Sequence, residues 1–163
     1  MHDELVRYFS AEKSESLLFL LAGVGALVAS ALLVRNGSPY RGMAIPLVIV
    51  GLIQVVVGAS VYLRTDAQVA TLTGLFDGTP TEFQRAELAR MAVVMRSFQI
   101  YKAIEIVILL GGIVLALLYP HRERLYAAGI GCILQGSLML VLDLFAEKRG
   151  QIYIDAIRRL AGP

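Results

Sequence analysis

Four uncharged and mostly apolar runs divide this chain: Ser16 to Val34, Gly42 to Leu63, Ile106 to Pro120 and Leu125 to Leu142. A helix needs roughly 20 such residues to cross the hydrocarbon core of a bilayer. Three runs reach that length. The third reaches it when Lys102 and Glu105 occupy its first turns and extend toward the interface or a protein partner. The pattern therefore predicts an all-α polytopic membrane protein with spans at 17–34, 42–63, 100–119 and 125–146.

The polar positions between the runs predict how the spans connect. Asn36-Gly37-Ser38-Pro39 is a compact turn, and Pro46 falls in the first turns of span two, where a missing backbone donor is tolerated. Pro120 and the charged residues after it make an equivalent short turn between spans three and four. Short turns predict an up-down bundle of two hairpins. The connection at 64–99 reads as helix rather than loop. Thr79-Pro80-Thr81-Glu82 carries a cap residue, a proline at the first helical position and a glutamate three residues after the cap. Phe83, Glu87, Met91, Val94, Phe98 and Tyr101 follow at steps of three or four. Spans two and three should thus extend into a helical hairpin projecting ~20 Å from the bilayer. Within the single domain 1–163, residues 1–16 place Leu5, Val6 and Phe9 at helical spacing, and 150–161 place Ile152, Ala156, Ile157 and Leu160 opposite Asp155, Arg158 and Arg159. Both ends read as amphipathic helices lying on the membrane surface.

Composition agrees with this class: 57% of residues are hydrophobic, 17% are charged and the net charge is only +2. The mean hydropathy is +0.69. Sorting Lys and Arg by the loops that four spans create puts eleven on the side of both termini and four, Arg35, Arg41, Arg122 and Arg124, on the other. The positive-inside rule then expects both termini and the 64–99 hairpin in the cytoplasm. Ala29-Ser30-Ala31 resembles a signal-peptide cleavage site, but Asp3, Glu4, Glu12 and Glu15 outnumber Arg7 and Lys13 ahead of it, so the first run is expected to remain a span. Cys132 is the sole cysteine and excludes an intramolecular disulfide.

Candidate chemistry lies in the intramembrane polar residues. Gln54 and Gln135 stand near the midpoints of spans two and four, where an unpaired amide facing lipid costs several kcal/mol. Gln54 shares a helix face with Gly51 and Gly58, and Gln135 with Ala128, Gly131 and Cys132, so each is expected either to join helices or to bind a ligand at the midplane. Glu105 and Asp143 join them as intramembrane carboxylates, and with Glu15, Arg64 and Lys102 they form a belt of charge at the terminal-side helix ends. That belt is either an ion-pair lock or an ion or proton site. Arg85 and Arg90 are the expected partner-facing positions of the hairpin. A weak internal repeat also shows: Lys13 and Glu15 precede LLFLLAGVG, Lys102 and Glu105 precede IVILLGGIV, and each following span carries one glutamine. A parallel repeat of hairpins about an axis normal to the membrane would explain it.

Catalysis finds no motif here. His2 and His121 fall on opposite sides of the predicted membrane, which argues against a histidine metal or haem site, and no phosphate loop, nucleophile elbow or cysteine pair is present. No catalytic residue, cofactor, metal or nucleic-acid surface is expected. The stretches FSAEKSESLLFL, YRGMAIPL, VYLRTD and LFAEKRGQIY resemble a group of small four-helix bacterial inner-membrane proteins of uncharacterised function. That resemblance implies a bacterial inner-membrane location and no activity. The expected function is non-enzymatic binding of a membrane partner, as an accessory or assembly subunit or an immunity-type protector. The alternative is a small oligomeric channel or transporter for an ion or polar solute. The expected partners are the lipid bilayer and either a membrane protein or further copies of the chain.

Overall fold

The computed structural model describes residues 2–160, so Met1 and Ala161 of the end segments lie outside it. Four α-helices make the fold: α1 (His2–Arg35), α2 (Ala44–Gly78), α3 (Pro80–Leu118) and α4 (Glu123–Arg159), with a 3-10 turn at Pro39–Met43 ahead of α2. Each contains a stretch long and apolar enough to cross a membrane. At 1.5 Å per residue the helices are roughly 50 to 60 Å long, against ~30 Å for a hydrocarbon core. Every helix therefore has an apolar half and a second half that is longer than a membrane requires.

This corrects the reading of the two chain ends. Residues 2–16 are the uninterrupted start of α1, and the segment from Gly150 is the uninterrupted end of α4. Their apolar residues pack on protein. Leu5, Tyr8 and Phe9 from α1, Leu72 from α2, Phe83 and Met91 from α3, and Tyr153, Ile154 and Ile157 from α4 form one buried core. The less apolar half is accordingly packed by all four helices, where the sequence pattern predicts a two-helix hairpin. An amphipathic stripe buries itself against whatever apolar surface is nearest, and here that surface is the other three helices. Gly150 does not break α4 because its missing side chain makes room for Met91 and Met95.

The turn between α2 and α3 is the single residue Thr79, whose carbonyl accepts from the Phe83 N–H at 3.0 Å. Its hydroxyl donates to the Glu82 carboxylate at 3.1 Å and does not cap the α3 backbone, so the expected capping box forms only in part.

In the apolar half the helices pair through glycines, and the two pairs pack alike. A Cβ on Gly23 would come within 2.7 Å of the Gly51 carbonyl oxygen and 2.8 Å of the Gln54 Cβ. One on Gly112 would meet the Gly129 oxygen and the Cys132 Cβ at the same two distances. Gly58 lies against Ser16 and Leu20 as Gly136 lies against Glu105 and Leu109. A shift of 89 residues thus carries α1 onto α3, and one of 78 carries α2 onto α4. The glutamines are not equivalent within this repeat, since Gln54 corresponds to Cys132 and Gln135 to Val57. The pairs meet along α2 and α4, with further contacts of α1 on α4 and α2 on α3, whereas the backbones of α1 and α3 make no close approach. Only 17% and 11% of the apolar windows of α1 and α3 are buried, so these helices form the outer flanks.

Candidate functional site

Three polar layers lie inside the bundle. In the middle of the apolar half, Gln54 Nε2 donates to Gln135 Oε1 at 3.3 Å across the seam between α2 and α4. Both amides are buried, and Gln54 Oε1 keeps no partner. The contact forms because Gly51 and Gly58 bring α2 against α1, while Gly131 seats Pro46 of α2 against α4. It joins the α1–α2 pair to the α3–α4 pair.

At the inner edge of the apolar half Glu105 is 1% exposed, and neither of its carboxylate oxygens has a hydrogen-bond partner. Asp143 on α4 faces it and is half-buried. The rest of the expected belt is arranged differently from the sequence reading. Glu15 pairs with Arg149, and Lys102 donates to Glu147 at 2.6 Å, with Gln99 donating to the other Glu147 oxygen at 2.8 Å. Arg64 is exposed and forms no ion pair among the described residues. An i-to-partner pairing cannot be read from neighbouring charges when the true partners, Glu147 and Arg149, lie a turn further along another helix.

The third layer, in the charged half, was the least visible in the sequence. Glu87 is 1% exposed and receives two hydrogen bonds from Arg90, at 2.8 and 2.6 Å. Arg90 therefore turns inward over the Phe9 ring, 5.4 Å from its centroid, whereas Arg85 is exposed. Burial opposes the Arg90 charge, yet its hydrogen bonds to Glu87 together with the charges of Glu87, Tyr8 and Glu12 outweigh that and raise its pKa. Tyr8 stacks on Tyr153 at 4.3 Å, and Arg149 covers the Tyr8 ring. Burial, reinforced by the Glu12 charge, pushes the Tyr8 phenol up to about 12. Burial likewise raises Glu12 above the ordinary carboxylate range, against the pull of Arg90, Arg64 and Arg149. The clue to this layer was Glu87 standing on the Phe83–Met91 stripe, since a charged residue on an apolar stripe must be paired where it is buried.

The arrangement can hold helices together, hold protons and exchange ion pairs. A cleft of about 240 Å³ lies between α1 and α4, lined by Arg7, Tyr8, Arg149 and Tyr153 among others. No group of three or more His, Cys, Asp or Glu side chains suited to a metal occurs among the described residues. No protein family, curated protein or solved structure matches the chain.

Proposed function

We infer that the chain inserts into the bacterial inner membrane as an up-down bundle of two hairpins, with its charged half and both termini in the cytoplasm, and acts by binding a membrane partner. Insertion is supported by the tyrosines. Tyr101 on α3 and Tyr119 just past its last residue are exposed and stand about 27 Å apart along the helix axis, close to the hydrocarbon thickness and suited to its two interfaces. Orientation rests on the excess of Lys and Arg in the charged half.

One observation carries the binding role: the outer face of α1 has an unfilled close-approach surface. Gly25 has nothing within 4 Å of where a Cβ would stand, and exposed Ala29 follows one turn later. Such small-residue pairs let a second transmembrane helix reach backbone contact. Glycines that serve the bundle itself, such as Gly23 and Gly58, are all filled. Extraction in lipid particles followed by mass determination tests the role. A stoichiometric membrane protein or a second copy is expected, and the double variant Gly25→Leu, Ala29→Leu should release it without changing the melting temperature. A lone monomer from wild-type membranes would remove this reading.

A second reading, an oligomeric channel or transporter for an ion or polar solute, is favoured by the unpartnered Glu105 beside Asp143. It expects a flux in proteoliposomes that Glu105→Gln abolishes.

A further inference from the structure

The hairpin repeat supplies an internal comparison for the carboxylate pair. The shifts that relate the glycine contacts carry Ser16 onto Glu105 and Thr65 onto Asp143. They also carry Lys13 onto Lys102, and each lysine is bonded to an acid of the neighbouring helix, Asp66 or Glu147. Each place thus carries a lysine paired to an acid of the neighbouring helix, and the polar groups at the centre differ in kind. Ser16 and Thr65 are 6% and 2% exposed and self-sufficient, since their hydroxyls donate to the Lys13 and Val61 carbonyls of their own helices at 2.8 and 2.7 Å. Glu105 is at least as buried but has no donor on either oxygen, and the group it faces is another carboxylate. Two hydroxyls suffice for helix packing at this place. The carboxylates supply something that hydroxyls cannot.

The geometry points to Glu105 and Asp143 as a proton-binding site. Ionised carboxylates only accept hydrogen bonds, so two that face each other leave buried lone pairs without a donor and bring like charges together out of water. One proton removes both costs, because it turns one carboxyl into a donor to the other and leaves a single charge on the pair. Around the pair stand Glu15 from α1, Lys102 from α3 and Glu147 from α4. Glu15 is held by Arg149 and Lys102 by Glu147. Arg64 marks the same level of α2 and acts on Glu12. The site goes beyond both functional readings and is compatible with either, since a proton can accompany partner docking as well as flux.

Infrared difference spectroscopy of the protein in lipid particles, stepped through pH, reads the carbonyl stretch of protonated carboxyl groups. The expected result is a buried-carboxyl band that titrates, shifts in heavy water, and is lost in Glu105→Gln and in the double variant Glu105→Ser, Asp143→Thr. That double variant copies the packing of the first hairpin and should keep its helicity by circular dichroism. Glu12→Gln identifies any band from the charged half and should leave this one in place. A wild-type protein with no titrating band beyond that of Glu12 would overturn the proposal, whether or not any variant folds. So would a band that survives Glu105→Gln, or one displaced at constant pH by sodium or potassium.

Discussion

Glu12 shows how a single buried charge couples this fold to pH. Burial raises its pKa in the folded protein, so the folded state binds this proton more tightly than the unfolded chain does. Its contribution to stability is full below the unfolded carboxylate pKa and is lost as pH rises through the raised folded value. Glu12→Gln removes that loss. Across this window the wild-type melting temperature should fall relative to the variant as pH rises, and thermal unfolding at stepped pH checks it; parallel curves would contradict it. Tyr8 acts in the same sense at alkaline pH, between its ordinary value of 10.0 and about 12, where Tyr8→Phe should flatten the decline. Arg90→Ala is a sharper change, because it strands Glu87 without its partner in a core. A loss on the order of 3 kcal/mol is expected. Arg85→Glu, on an exposed position, should stay within about 0.5 kcal/mol. Of these residues Gln54, Gln135, Glu105 and Asp143 stood out in the sequence because polar groups are costly in apolar runs. Glu12 and Arg149 did not, because charges among charges carry no such signal.

At the level of the helices, glycine position decides how closely each pair packs. Gly111 and Gly112 are neighbours on α3 with opposite surroundings, since a Cβ on Gly112 would strike the Gly129 carbonyl whereas one on Gly111 meets nothing within 4 Å. Gly112→Leu should force α3 from α4 at a cost of roughly 1 to 3 kcal/mol or more, while Gly111→Leu leaves the melting temperature unchanged. Equal effects would mean that the α3–α4 seam is loose. The four helices were legible from runs of apolar residues and from the Thr79–Glu82 start signal. The length of α1 and α4 was not. A stripe such as Leu5, Tyr8 and Phe9 says that one face needs covering, and it says the same whether lipid or another helix does so.

For the whole molecule, the charged half is a shared core to which every helix contributes. Removing residues 2–15 takes away Leu5, Tyr8 and Phe9 and uncovers Phe83, Met91, Tyr153 and Ile157. The truncated protein should melt earlier and be cut by protease within 80–99, with the apolar half still protected. A truncated protein as resistant as the full chain would restore the reading of this segment as an independent surface anchor. His2, bonded to Asp77 at 2.8 Å, ties the start of α1 to the end of α2, so the core is closed at its far end as well.

The number of helices, their apolar halves and the places where polarity is costly can be read from the order of residues. These follow from local composition, because a chain in an apolar medium must satisfy its backbone within each segment and must be long enough to cross. Which polar groups meet is set by how the helices pack. Gln54 reaches Gln135 although the repeat does not make them equivalent, Glu105 faces Asp143, Glu15 takes Arg149, and Arg90 turns inward to Glu87. Those pairings depend on the rotation and axial register of one helix against another, which are set by backbone contacts at Gly23, Gly58, Gly112 and Gly136 between residues distant in the chain.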